Sequence, residues 1–407
     1  MISMFKHSIL FVLLIMAMTC KAQEKASLPP DLRQMPGLAW KHSLNAPVYA
    51  SPVISESTVY FGGLDSVFYA LDLVTGKVKW TYKTKGEIRS TCAVRDQMVC
   101  FASGDGKLYC LDKSGKLLWS FKTQSDKKED FADYFQSSPV FHKNTFYFGS
   151  GDGFVYAVNA SDGSLKWKYL TGGVVHARPA IGNGNLYIGS FDGFVYAFAL
   201  AEGKLKWKFK TVGHRFFPRG EVQGNPVFFN GLVLVGARDY NVYAIDAENG
   251  YCHWNKAFLK GWVLSATLHD SLLYLAGADE RMISAVDPVT GQTIMKKDME
   301  FLQFGNPAFS QNMMYAGLTN GKVYGLDKKT GDKVWTFTTE GYQKNRMKYF
   351  KEDDSYRDDI YKIITSNEQF VEVEQELGGI FSSPAIVPGY LVFTSTEGSV
   401  YCLKSKE

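Results

Sequence analysis

The chain has 407 residues, a formal net charge of +4, 15% aromatic residues and 38 glycines. So small a charge over this length forms no concentrated basic face, which argues against a nucleic-acid partner. Abundant aromatics and glycines suit many short strands joined by tight turns, and a length that could mean two or three domains has first to be tested for internal repeats.

Lys6 and His7 precede an apolar run over residues 8–18, the size of a secretory signal core and too short to span a bilayer. Cys20-Lys21-Ala22 offers small residues for cleavage before Gln23. Lipidation at Cys20 competes with this, but Ala17 stands where a lipobox expects Leu. Residues 1–22 are therefore read as a signal peptide of an exported chain, residues 23–37 as a linker, and no further stretch is long and apolar enough for a transmembrane helix.

From residue 38 onward one pattern recurs. A clear copy runs Ser138-Pro139, then Tyr147-Phe148-Gly149-Ser150-Gly151-Asp152-Gly153, then Val155-Tyr156-Ala157, Asp162-Gly163 and Trp167. The turn position reads Asp65, Asp105, Asp152, Asp192, Asp239, Asp279, Asn320 and Glu397, at spacings of 40, 47, 40, 47, 40, 41 and 77. A unit near 40 residues with insertions predicts propeller blades. Each unit reads as four strands, the Gly-Asp-Gly turn joining the second to the third and the Trp lying on a half-exposed fourth. Trp40, Trp80, Trp119, Trp167, Trp207, Trp254 and Trp335 recur at this slot, with Met295 in the sixth unit, so they are read as wedges between blades rather than as cofactor-stacking rings. The last unit supplies three strands up to Leu403, and residues 38–41 look like an isolated fourth strand; pairing them hides two sheet edges. The expectation is an all-β, eight-bladed propeller of four-stranded blades over residues 38–404, closed by an N-terminal outer strand, with a helical insertion at 341–379 between the last two blades.

After signal removal five cysteines remain, Cys92, Cys100, Cys110, Cys252 and Cys402, without a CxxC or Cys/His cluster for zinc or attached haem. Cys110 and Cys402 fill a slot that is Ala elsewhere. Opposed positions on adjacent strands strain a bridge, so these thiols are expected to be free and buried.

The long departures from the base unit, residues 124–135, 212–222 and 341–379, all follow a fourth strand and so share one face. The first is read as a solvated, mixed-charge loop with an aromatic tether. The second carries His214, Arg215, Phe216, Arg219 and Glu221, suited to an anion, a sugar or a protein contact. The third reads as a helical excursion followed by a short extended piece at 369–373; its acidic run lacks the spacing of a calcium loop. With Cys92 and Ala266 aligned to the Pro of the other units, register three residues before that position places Arg89, Gln136, His176 and Gln223, with Arg178 nearby, in a polar sector of the central mouth, and Phe304 and Phe381 in an apolar one. That division suits a small polar ligand, an inserted peptide loop, or water alone. His176 or His214 beside a carboxylate such as Glu221 has the chemistry of a general base, but no nucleophile or metal set accompanies them, and catalysis is the less favoured reading.

The strings Phe68-Tyr69-Ala70-Leu71-Asp72 with Thr75-Gly76 and Trp80, and their copies at 242–254 and 323–335, resemble the signature of PQQ-like, quinoprotein-type repeats. Two groups in that family come into question: quinone-dependent alcohol and sugar dehydrogenases, and the periplasmic scaffold of the outer-membrane β-barrel assembly machinery. The uninterrupted layout resembles the scaffold. The adjacent Cys-Cys pair of many alcohol-oxidising members is missing here, and none of the family's calcium or base carboxylates can be matched. The resemblance implies a monomeric, non-catalytic envelope scaffold, periplasmic or associated with the outer membrane. It would bind a protein or glycan through the long-loop face, with no metal and no cofactor. Competing readings are a quinone- or metal-dependent oxidoreductase holding PQQ with calcium, and a propeller that binds or cleaves polysaccharide.

Overall fold

The computed structural model describes residues 27–277 and 280–406. The signal-peptide and lipidation expectations and turn residue Asp279 lie outside them. Eight antiparallel four-stranded sheets form the propeller. In seven of them the strands run consecutively outward from the axis, and in the eighth the N-terminal strand Gly37–Ser43 pairs with Ser399–Lys404 as the outermost strand. The expected ring closure is therefore present.

Two devices repeat around the ring. In the turn between third and fourth strands, the Asp72 Oδ1 accepts the N–H groups of Val74 and Thr75, and Gly76 sits at φ 68°. The Trp40 indole from the neighbouring blade lies on that glycine, where a Cβ would come within 2.6 Å of the ring, and its Nε1–H donates to Leu73 O at 2.7 Å. Only glycine leaves room for the ring while also accepting this backbone conformation. Trp80, Trp119, Trp167, Trp207 and Trp254 repeat the bond to Lys113, Ala160, Leu200, Ala247 and Pro288. The turn between second and third strands carries the other device. Asp152 accepts the Tyr156 hydroxyl at 2.7 Å and the Gln124 N–H at 2.9 Å, and Asp192 does the same for Tyr196 and Gly172. These carboxylates fix where each interblade loop begins.

The chain break in blade eight removes the turn on which Trp335 would rest. The segment before the first strand replaces it. Leu32 O accepts the Trp335 indole at 2.6 Å, the Leu32 N–H donates to the Tyr315 hydroxyl, and Asp31 accepts from Ser310 and Asn312. Leu32 is buried with Trp335, Phe337 and Tyr401.

Two local expectations are corrected. Residues 369–373 are helical, not extended. The long insertion folds as α1 (Glu340–Tyr349), α2 (Ile360–Ile363) and α3 (Asn367–Glu376), the last capped by Ser366 Oγ accepting from Gln369 N. The thiol expectation also fails in part, because Cys100 and Cys110 form a disulfide across neighbouring strands. Their Cα atoms are 4.2 Å apart, as in the closer kind of antiparallel pair, the one not joined by backbone hydrogen bonds; that approach brings the sulfurs together. Cys92 and Cys402 are free and buried, and Cys252 is free and exposed.

Trp40→Ala is expected to lower stability by about 3–5 kcal/mol, read as a fall in melting temperature, because it removes both the ring-closing wedge and its hydrogen bond. Non-reducing peptide mapping is expected to recover the 100–110 bridge, with Cys402 alkylated only after denaturation.

Candidate functional site at the axial mouth

Residues 124–135 are not a solvated loop. They fold inward and fill the mouth of the axis, with Ala132, Asp133 and Tyr134 buried. The apolar half of this plug is the Tyr134 ring. It lies 4.7 Å from Phe381, 5.3 Å from Phe304 and 5.8 Å from Tyr49, and burial raises its phenol pKa strongly. Phe304 and Phe381 stack on each other, and Gln375 of α3 donates to the Tyr49 hydroxyl. The helical insertion thus braces the same cluster from its rim.

The polar half is a set of buried charge pairs. His176 lies between two plug carboxylates: Nδ1 is 2.8 Å from Asp133 Oδ2 and Nε2 is 3.0 Å from Asp126 Oδ1. Burial opposes a charge on this imidazole, but Asp133 and Asp126 outweigh it and raise its pKa to about 9. For Asp126 too, burial works against the charge, while His176 and the Gly151 N–H hold its pKa below the usual carboxylate range. The Arg89 guanidinium donates from Nη1 to Asp133 O at 2.6 Å and forms an ion pair with Glu87. Gln136 donates to Asp126, and Gln223 donates to Ala132 O. Arg238 is fully buried. It meets Asp130 through both terminal nitrogens, donates to Gln223 Oε1 at 2.9 Å, and lies 4.8 Å over the Phe191 ring. Groups of this kind are costly to bury unless each is paired, and here the loop supplies the carboxylates for His176 and Arg238 and a backbone carbonyl for Arg89, whose ion pair is Glu87.

Arg89, Gln136, His176, Gln223, Phe304 and Phe381 thus converge as the sequence register places them, but as the seat of the chain's own loop. Arg178 does not join them and faces the channel beneath the plug. The 212–222 segment forms a separate surface hairpin. His214 stacks on Tyr240 at 4.2 Å, Arg215 lies 4.5 Å over the Phe216 ring, and Phe216 is 62% exposed. Arg219 pairs with Glu129 of the plug and with Glu221, so the two loops are tied together. No group of three or more His, Cys, Asp or Glu side chains able to hold a metal occurs among the described residues.

Sequence reasoning missed Asp126, Asp130, Asp133 and Arg238. The three aspartates look like a solvated charge run because their partners are distant in sequence. Arg238 did carry a signal: it fills a turn slot occupied by Gly104, Gly151 and Phe191 in other blades.

A PQQ-type family model described as outer membrane protein assembly factor BamB matches residues 37–216 and 192–407. Among curated proteins, the quinohemoprotein alcohol dehydrogenase ADH-IIG of Pseudomonas putida is 28% identical over 155 residues, 33% of this chain and 21% of that protein. The outer membrane protein assembly factor BamB of Nitrosomonas eutropha is 24% identical over 118 residues, 29% of this chain and 27% of that one. The chain thus matches only about a fifth to a quarter of these relatives' length. Among solved structures, BamB from Moraxella catarrhalis superposes with a TM-score of 0.67 at 14% identity, covering 91% of this chain and 99% of that one. The last of these similarities bears on the fold.

The raised His176 pKa sets a pH window for the plug. The carboxylates hold the imidazolium, so the stabilisation is complete below the ordinary histidine value of 6.5 and is lost as pH rises through about 9. Hydrogen exchange of residues 124–135 is expected to accelerate between pH 8 and pH 10 (after correction for intrinsic rates). Asp133→Asn should lower the pH at which this happens.

Proposed function

Since the chain belongs to the PQQ-type repeat family described as outer membrane protein assembly factor BamB, we propose that it is a non-catalytic scaffold of the cell envelope that binds a protein through its long-loop face. The observation that carries this reading is the plug. The mouth that could have accepted a small molecule is filled by the chain itself, and the side chains converging there are engaged by it. What this face offers outward is a rim: the Arg215–Phe216 pair, Leu259 at 90% exposure and the helical insertion with Tyr361 at 84%. An exposed aromatic stacked with an arginine is a common anchor for protein recognition. Export and a periplasmic position fit the family and belong to the same proposal, as does the monomeric state. No helix among the described residues is long and apolar enough to cross a membrane.

The competing reading, a quinone-dependent oxidoreductase, draws on the dehydrogenase relatives. The residues at this mouth do not fit a quinone with calcium. Asp126 and Asp133 are committed to His176, Asp130 is committed to Arg238, and Tyr134 occupies the apolar sector. A glycan-binding or glycan-cleaving propeller is less favoured, since Arg215 lies over the Phe216 ring that a sugar would stack on.

Photo-crosslinkers placed at Phe216 and Leu259 in living cells are expected to capture an outer-membrane or periplasmic protein, and those at Asn183 on the opposite face are not. Arg215→Ala with Phe216→Ala should reduce that capture by about tenfold or more, the loss expected for an interface anchor, without moving the melting temperature. Capture from Asn183 alone would refute the choice of face. Reconstitution with PQQ and calcium that yields a bound chromophore and alcohol oxidation would refute the scaffold reading.

A further inference from the structure

Beneath the plug the axis is hollow. A cavity of about 550 Å³ is roofed by Phe135, Gln136, Phe304 and Phe381. It continues into a second space of about 690 Å³ that reaches Lys143, Asn183 and Gly184, in the turns between first and second strands on the opposite face. The channel is therefore blind at the long-loop end and reached from the other.

A ring of side chains at its waist comes from the residue before each blade's Pro, or before Cys92 where blade two has no Pro. Ser51 N–H donates to Thr91 Oγ1, Thr91 N–H to Ser138 Oγ, Asn306 N–H to Ser383 Oγ and Ser383 N–H to Ser51 Oγ. Arg178 N–H donates to Asn225 Oδ1 at 2.7 Å. In each bond the side-chain oxygen accepts, and the hydroxyl hydrogens of Ser51, Thr91, Ser138 and Ser383 and the Asn225 amide remain as donors without an acceptor among the described residues. Arg178 occupies the one ring slot that brings a charge. Its side chain is exposed to the channel and its guanidinium has no hydrogen-bond or ion-pair partner among the described residues. Enclosure by the walls lowers its pKa, as expected of a cation short of compensation.

The lining also has a consistent sign. Arg178 and Lys143 line the two spaces, with Arg95 (paired with Asp96) beside them, and neither lining includes an Asp or Glu. Low-dielectric walls around charge of one sign concentrate the field in the lumen. Donors without acceptors, an unpaired planar guanidinium and the absence of carboxylates together define a receptor for an oxyanion.

We propose that the blind axial channel binds a small oxyanion, a carboxylate or a phosphate, between Arg178, Asn225 and the ring hydroxyls, entering from the face opposite the long loops. This site is independent of the protein-binding rim. Loss of binding at one leaves the other untested and intact.

The test is isothermal titration of the mature chain with inorganic phosphate and, separately, with acetate, which distinguishes a tetrahedral from a planar ligand. One saturable site for either anion is expected. Arg178→Gln should weaken it by about tenfold or more, the loss of one charged partner. Arg178→Lys should weaken it less, because it keeps the charge but not the fork. Asn225→Asp keeps the acceptor for Arg178 N–H and adds a repelling charge, so it should abolish binding. In the unaltered chain, the Arg178 Nε–H resonance should shift with the same midpoint as the titration, which tests the site even if a variant fails to fold. Unchanged affinity in Arg178→Gln, an unmoved Arg178 resonance, or no saturable binding of either anion in the millimolar range would overturn the proposal.

Discussion

The seating of six fourth-strand indoles, Trp40 through Trp254, on the turn glycine of the next blade is the contact on which the molecule rests. It joins two kinds of specificity in one place. The ring demands a glycine, because any Cβ would collide with it, and the indole N–H demands the turn carbonyl beside that glycine. The energy of one such contact is modest against the entropy of ordering a blade. It recurs at six of the eight junctions and sets the angle between those sheets, with Met295 lying against Gly331 at another. Blade eight shows how much the ring relies on it: where the chain break removes the turn, Leu32 supplies the missing carbonyl for Trp335.

A ring held this rigidly can place buried charges that no single blade could support. Asp133 alone in the axis would be an uncompensated anion. It is tolerated because blade four brings His176 to its carboxylate, while Arg89 of blade two holds its backbone carbonyl and Arg238 of blade five meets Asp130. Removing either partner of such a pair typically costs several kcal/mol, since the other is left buried and charged. The plug is therefore as well specified as the blades, although it has almost no regular secondary structure.

What was legible in the sequence follows from the same distinction. The repeat could be read because its causes are local: Asp72, Thr75 and Gly76 make a turn within five residues, and Trp40 and Trp80 mark a period. The register before each Pro correctly gathered Arg89, Gln136, His176 and Gln223, because propeller symmetry turns sequence position into angular position. The role of those residues was not legible. Asp133 lies 43 residues from His176, and Asp130 lies 108 from Arg238. In isolation residues 126–130 look like a solvated charge run. The Cys100–Cys110 bridge was misjudged for a related reason, since strand pairing gives the register but not which pairs approach closely.

The two ends of the axis now differ in a way that the repeat alone would not produce. Above, cations from blades four and five are neutralised by aspartates of one inserted loop, and the surface is closed. Below, the small polar ring is left open, and the single arginine in it meets no carboxylate among the described residues. An eightfold scaffold makes every blade nearly equivalent, so function has to come from breaking that equivalence. This chain breaks it by loop length on one face and, at position 178, by one residue type inside the channel. The first break creates a rim with exposed Phe216, Leu259 and Tyr361. The second places in the channel a guanidinium with no ion-pair partner among the described residues.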